Sequence, residues 1–187
     1  YDHKKLKILD EKDIKNIDLI KSFENIEILN QKKTGFGNAL IEGIYHVKTE
    51  FFCIINADGS MNPNEIEGMM NKIKVNQLDI IFGSRYMKNA GSDDDNFITS
   101  VGNYIFTSLG KVFFNLKISD ILYTYLIGKT EMIKKLNLAS GDFRFCVELP
   151  IKVQRKNYKY DTYPCYERKR IAGKKNVNPF LDGLKIL

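Results

Sequence analysis

The 187-residue sequence contains no tryptophan, two histidines, three cysteines and four prolines. His3 and His46 cannot build a His-rich metal cluster. Cys53, Cys146 and Cys165 form an odd, widely spaced set with no CxxC pair. That argues against a disulfide scaffold and a zinc site, and points to a reducing compartment. No run reaches ~18 uninterrupted apolar residues, so no transmembrane helix is expected within these limits. The opening Tyr1-Asp2-His3-Lys4-Lys5 lacks a methionine and an apolar signal core, and reads as the start of a processed or truncated product. Arginine is scarce too, with five against 24 lysines.

What is present describes a globular chain. Apolar residues make up 43% and charged residues 28%, with a mean hydropathy of -0.30. This excludes a disordered chain, a collagen-like repeat and a multi-span membrane protein. The length suits a single domain over residues 1–187, and no internal repeat or low-complexity linker divides it. The net charge is +6. Heavy use of Lys, Ile and Asn looks compositional, so the five arginines carry more information than the lysines.

Lys5–Leu9 and Ile26–Leu29 read as short strands. Ile14–Phe23 has helical spacing, and Gly35-Phe36-Gly37-Asn38 opens a helix through about Val47. Phe51–Asn56 and Asp79–Gly83 are apolar runs without helical period, as expected of buried strands. Between them lies a helix over Asn64–Val75, with Pro63 before it and Glu65 and Glu67 in its first turn. Alternating strands and helices predict an α/β layer with a mainly parallel sheet, with ligands at the carboxyl ends of the strands. Past residue 90 a polar loop, Gly91–Asn96, leads to an unusually apolar helix over Phe97–Leu116. Phe143–Arg155 is a second helix that Pro150 should break or kink. Tyr158–Tyr166 reads as a strand, and a basic loop follows.

Four segments have chemical potential. Asn56-Ala57-Asp58-Gly59-Ser60 follows a buried strand; a carboxylate there can hold a hard cation against a diphosphate, or simply cap a turn. Gly35-Phe36-Gly37-Asn38-Ala39 lets a ligand approach a helix N-terminus, or makes a tight turn. It lacks the third glycine of the dinucleotide fingerprint. Gly83-Ser84-Arg85-Tyr86 puts an arginine fork at a strand end, able to reach a phosphate or carboxylate. From Lys152 to Lys175 there are nine basic residues against two acidic ones, either a solvated face or a seat for an anionic partner. The run Asp93-Asp94-Asp95 reads as a solvated loop.

In this order the segments resemble the family 2 inverting glycosyltransferases of the GT-A fold. The branch they resemble is that of dolichyl-phosphate mannose synthase and the bacterial polyprenyl-phosphate sugar transferases. Gly35-x-Gly37-x-Ala39-x-x-x-Gly43 is similar to that family's glycine segment. Asn56–Ser60 is similar to its metal motif, and Asp79–Tyr86 to its D-[IV]-[IV]-x-G-S-R segment. Ser100-x-x-Asn103, Asp120 and Glu148 fall at matching places. Arg168, Arg170, Gly173 and Lys174 match its basic closing loop. Four departures stand out: Asn56 replaces an aspartate, Lys33 an asparagine, Ile121–Tyr125 a T-S-G-F segment bordering the acceptor, and Lys175 stands near where the loop's serine is expected.

The resemblance implies a nucleotide-diphosphate sugar donor and direct displacement with inversion. It implies donor contacts from Asp10, Gly35, Gly37, Asn38, Ala39, Asn56, Ala57 and Asp58. Mg²⁺ or Mn²⁺ would sit on Asp58, Asn56 and Ser60. Arg85, Arg168, Arg170 and Lys174 would act with Asp58 in catalysis, and Ser84, Arg85, Ser100, Asn103 and Asp120 would border the acceptor. Residues 1–90 would serve the nucleotide sugar and 91–187 the acceptor. A polyprenyl phosphate acceptor would place the chain in the cytoplasm, peripheral at the cytoplasmic membrane face, with the apolar helix against the membrane. A hydroxyl acceptor in surface-polysaccharide synthesis would instead require a base, and Asp120, Asp142 and Glu148 are the candidates. A nucleic-acid binder using the basic loop with Tyr158, Tyr160, Tyr163 and Tyr166, and a non-catalytic remnant, are the other readings. The nucleic-acid one gives the Gly-Ser-Arg and Asp-Gly turns no role, so no nucleic acid is expected among the partners. Against the resemblance the front is short by one βα unit of about 30 residues, so Tyr1 is expected to be an internal residue.

Overall fold

The computed structural model describes residues 5–9 and 25–171. The helix expected over Ile14–Phe23, and the site residues Asp10, Gly173 and Lys174, lie outside them.

Strands β1 (Lys5–Leu9) and β2 (Ile26–Asn30) pair in parallel. Helix α1 (Phe36–His46) leads to β3 (Phe51–Ile54), α2 (Glu65–Asn76) and β4 (Ile80–Ser84). Then come β5 (Gly91–Ser92) and α3 (Phe97–Phe114). The chain continues through β6 (Leu126–Lys129), α4 (Thr130–Lys134), α5 (Phe145–Arg155), β7 (Tyr160–Pro164) and β8 (Tyr166–Glu167).

The alternation of strand and helix is as the apolar pattern predicts, but the main sheet is mixed. Its order is β3-β6-β4-β7. β6 runs antiparallel between β3 and β4, whereas β4 and β7 are parallel. Leu126–Lys129 is too short to show a period of its own, which hides it in the sequence. Glycine at 128 lets it fit: a Cβ there would stand 3.1 Å from Ile133 and 3.2 Å from the Phe52 ring.

Side chains alternate across this sheet with the period of two that strands impose. Phe52, Ile80, Phe82 and Leu126 face one way, onto Ile44 of α1 and Phe145, Leu149 and Val153 of α5. Ile81 and Ile127 face the other, onto Met69 and Ile73 of α2. Helix α5 continues through Pro150 to Arg155 with Phe145, Leu149, Pro150 and Val153 buried along it, so Pro150 does not break the helix. The strand expected over Tyr158–Tyr166 is divided at Cys165. Cys165 donates its N–H to Ser84 and accepts from the N–H of Gly91, so β7 pairs with β4 and β8 pairs with β5.

Helix α3 has its polarity reversed. It starts at a capping box in which Asn96 and Thr99 bond each other's backbone N–H. Asn103, Thr107 and Gly110 are its buried residues. Phe97, Tyr104, Val112 and Phe113 are 72–83% exposed, and Ile98, Val101 and Ile105 are exposed as well. Among the described residues no helix is long and apolar enough to cross a membrane.

Candidate functional site

The Asp58 turn forms where β3 runs out. Gly59 sits at φ 80, a region L-residues rarely adopt, and Asp58 Oδ1 accepts the Ser60 N–H at 3.0 Å. Ser60 is buried, and its Oγ has no hydrogen-bond partner among the described residues. Asn56 is half-buried just before the turn, with its N–H on the Met61 sulfur, and Ala57 is exposed.

The basic segment closes over this turn. The Arg168 N–H donates to Ser60 O and the Ile171 N–H to Asp58 O, each at 2.8 Å. Arg168 Nη2 reaches Met61 O at 3.2 Å. Arg170 places Nε and Nη2 on Asp94 at 3.1 and 2.6 Å, while Nη1 lies 3.9 Å from Asp58 Oδ2. The hydrogen bonding of Arg170 to Asp94 leads the effects on it, and holds the guanidinium pKa above its ordinary value. Asp58, Arg168 and Arg170, far apart in sequence, are thus brought together.

Arg85 does something else. Its Nε and Nη2 bind Asp120 at 2.7 and 3.0 Å, and its Nη1 binds Glu167 at 3.0 Å. The guanidinium also lies 4.6 Å from the Tyr123 ring centre. Burial pulls its pKa down, but the hydrogen bond and charge of Asp120 and the charge of Glu167 outweigh burial and hold it well above the usual value. Of the two partners expected for this fork, phosphate or carboxylate, the structure shows carboxylates of the same domain. The other acceptor-side residues are walls as well. Ser84 Oγ pairs with Ser119 Oγ at 2.7 Å, and Asn103 Oδ1 accepts the Leu122 N–H at 3.0 Å. Both fix the segment that carries Asp120, whose side chain is fully buried. Ser100 lies beside the Tyr86 hydroxyl, which donates to Asp95.

Of the two readings of the glycine segment, the structure shows the tight turn before a helix. A Cβ on Gly35 would stand 2.3 Å from Gly141 O, and one on Gly37 2.1 Å from Ser140 O. The Asn38 N–H donates to Gly141 O at 3.0 Å, and Asn38 Nδ2 donates to Thr34 O. The glycines thus admit a backbone segment of the same chain. Ala39 closes the first helical turn, its N–H on Gly35 O. Glu148 holds that segment by accepting from Ala139 and Ser140, and it pairs with Lys152 at 2.7 Å. Asp142 pairs with Arg144. All three candidate bases are therefore engaged in ion pairs.

Among the described residues no three His, Cys, Asp or Glu side chains come together to cage a metal. One carboxylate with the unpartnered Ser60 hydroxyl beside it fits a cation shared with substrate phosphates, the way Mg²⁺ is commonly held. Asp94, Glu167 and Ser92 are the residues that sequence reasoning missed. Ser92 Oγ donates to Glu167 and accepts the N–H groups of Asp94 and Asp95. An acidic run whose partner lies about 76 positions on leaves no local signal.

Fold and site together describe a GT-A-like α/β domain with a single-carboxylate turn under a basic closing segment. Residues 13–136 match the family model "Glycosyl transferase family 2", and the chain belongs to that family. Solved structures share the fold. A mycobacterial protein superposes with a TM-score of 0.69 at 10% identity, over 97% of this chain and 60% of its own. Glucosyl-3-phosphoglycerate synthase from Mycobacterium tuberculosis with UDP gives 0.67 at 12% identity, over 97% and 64%. The same enzyme with Mn²⁺, UDP-glucose and phosphoglyceric acid gives 0.64 at 12%, over 96% and 61%. The chain thus spans under two thirds of the length of these structures.

Proposed function

We propose that this chain is the transferase part of an enzyme that moves a sugar from a nucleoside-diphosphate donor to polyprenyl phosphate, with inversion. The observation that carries the reading is the meeting of the Asp58 turn with Arg168 and Arg170 through two backbone hydrogen bonds. One anion and two guanidinium groups at a strand end suit a diphosphate.

Asp58, with Asn56 and Ser60, would hold Mg²⁺ or Mn²⁺, which supplies charge neutralisation at the leaving diphosphate. The structurally similar synthase is solved with Mn²⁺ and with Mg²⁺ together with UDP. Arg168 and Arg170, with Lys174 following in sequence, steady the negative charge of donor and acceptor. An oxygen of the acceptor phosphate attacks the anomeric carbon opposite the diphosphate. The carbon–oxygen bond to the diphosphate breaks and its electron pair leaves with the nucleotide. The nucleophile is already anionic, so no proton need be removed. The engagement of Asp120, Asp142 and Glu148 in ion pairs favours this over a hydroxyl acceptor.

The reversed helix α3 supports a lipid acceptor. Its exposed Phe97, Ile98, Val101, Tyr104, Ile105, Val112 and Phe113 suit an interfacial seat at the cytoplasmic membrane face. A second reading, a small phosphorylated acceptor, draws on the phosphoglyceric acid in the similar synthase.

The test is transfer of labelled sugar from UDP- and GDP-sugars, with vesicles containing polyprenyl phosphate offered beside phosphoglycerate and glycan acceptors. Labelled lipid is expected, lost in a folded Asp58→Ala variant. Label on phosphoglycerate or glycan alone would overturn the lipid assignment.

A further inference from the structure

The loop after β5 contains a carboxylate that the transfer chemistry above does not use. We propose that Asp94 is a positioning residue of the donor site, holding Arg170 beside Asp58 rather than on it. This rests on the reading of Asp58 as the carboxylate that serves cation and diphosphate.

Arg170 can turn three nitrogens outward. Asp94 takes Nε and Nη2 at 3.1 and 2.6 Å, a planar two-point grip that fixes the fork's orientation. Nη1 is left facing Asp58, 3.9 Å from Oδ2, too far for a hydrogen bond. The grip is itself seated in the fold. The Asp94 N–H rests on Ser92 Oγ, Ser92 Oγ donates to Glu167, and Glu167 pairs with Arg85. Strand β5 carries Ser92 and strand β8 carries Glu167, directly opposite each other in register. The same two-stranded ribbon therefore delivers both partners of the Asp94–Arg170 pair.

The consequence is electrostatic. Asp58 is the next carboxylate to act on Arg170, ahead of Glu167, which Arg85 and Ser92 already hold. Without Asp94 the guanidinium would settle on Asp58 and compete with a divalent cation for its oxygens. With Asp94 in place, Asp58 keeps an oxygen for the cation, and Nη1 stays turned toward the place where an anionic ligand of that cation arrives. Asp94, Arg170 and Asp58 are largely shielded, with side chains 12%, 22% and 22% exposed, so the pairing is screened less than one on the open surface.

The experiment is calorimetric titration of the whole chain with UDP and with GDP over a range of Mn²⁺ concentrations, with thermal unfolding alongside. Asp94→Asn is expected to raise the Mn²⁺ needed for half-maximal nucleotide binding by on the order of tenfold, and Asp94→Glu to restore most of it. Asp94→Asn combined with Arg170→Gln should return the Mn²⁺ requirement to near wild type while leaving nucleotide affinity weak. A merely structural Asp94 would not produce that reversal. Asp93→Asn, whose carboxylate receives the Tyr166 hydroxyl, should leave the Mn²⁺ requirement unchanged. An Asp94→Asn variant with the wild-type requirement, or a double variant as impaired as the single, overturns the proposal. If Asp94→Asn does not fold, Arg170→Gln alone decides. An arginine held off Asp58 leaves the Mn²⁺ requirement within about twofold when removed, and a severalfold fall overturns the proposal. Wild-type protein that takes neither nucleotide with Mn²⁺ overturns the donor-site reading along with it.

Discussion

Arg85 meets Asp120 at three points: Nε at 2.7 Å, Nη2 at 3.0 Å and the backbone N–H at 3.1 Å. The Asp120 side chain is fully buried and that of Arg85 is 10% exposed. Arg85 thereby acts as a strut between the end of β4 and the segment before β6.

Removing one partner leaves the other charge buried and alone. Asp120→Ala is expected to cost about 3–5 kcal/mol in urea unfolding. Arg85→Lys should also destabilise, since an ammonium cannot grip Asp120 and Glu167 together. An Asp120→Ala variant with wild-type stability would contradict the strut.

The glycines at the start of α1 separate close packing from flexibility. Gly37→Ala would push a methyl into the Ser140 and Asp142 carbonyls and is expected to cost about 1–3 kcal/mol. Gly102→Ala in α3 meets nothing within 4 Å. It should instead stabilise by up to about 1 kcal/mol through helix propensity. Denaturant midpoints moving in opposite directions would bear this out.

Glu148 sets an acid limit. Burial raises its pKa, but Lys152 and the N–H groups of Ser140 and Ala139 outweigh burial and hold it below the ordinary glutamate value. Its stabilisation is therefore present above about pH 4.3 and fades as pH falls through the lower folded-state value. The stability gap between wild type and Glu148→Gln should be wide near neutrality and close in strong acid. A gap that stays constant across that range would refute the assignment.

Burial pushes the Cys53 and Cys146 thiols up to about 12. Burial also leads the rise at Cys165. All three should resist alkylation at mildly alkaline pH in the native chain and react once it is unfolded. Mass spectrometry of the modified chain reads this directly.

The exposed face of α3 should govern vesicle binding without governing stability. Val112→Ser with Phe113→Ser is expected to weaken flotation with anionic vesicles and to leave the unfolding free energy within about 0.5 kcal/mol of wild type. Equal flotation would remove the membrane from the reading.

Much of this was written in local pattern. The apolar runs at Phe51–Ile54 and Ile80–Ser84, and the Pro63 and glutamate start of α2, fixed strands, helix and turn. The order of motifs marked Asp58 and Arg170 as candidate site residues, but not that they would lie 3.9 Å apart. Purely spatial pairings were not readable. Asp120 finds Arg85 35 residues away, and Asp94 finds Arg170 76 residues away. Gly37 owes its lack of a side chain to the Ser140 carbonyl, adjacent in space but remote in sequence. Residue type announces that such a group needs a partner, but spacing says nothing about which one it finds.

The strand threaded between β3 and β4 also dictates an order of events during synthesis. Both strands are made early, yet neither has its central neighbour until Lys129 has left the ribosome. A nascent chain stopped near residue 90 therefore holds two apolar strands with bare inner edges, a form prone to pair with other chains. Fragments of the first half alone should be aggregation-prone, and those edges find partners only when β6 and β7 follow.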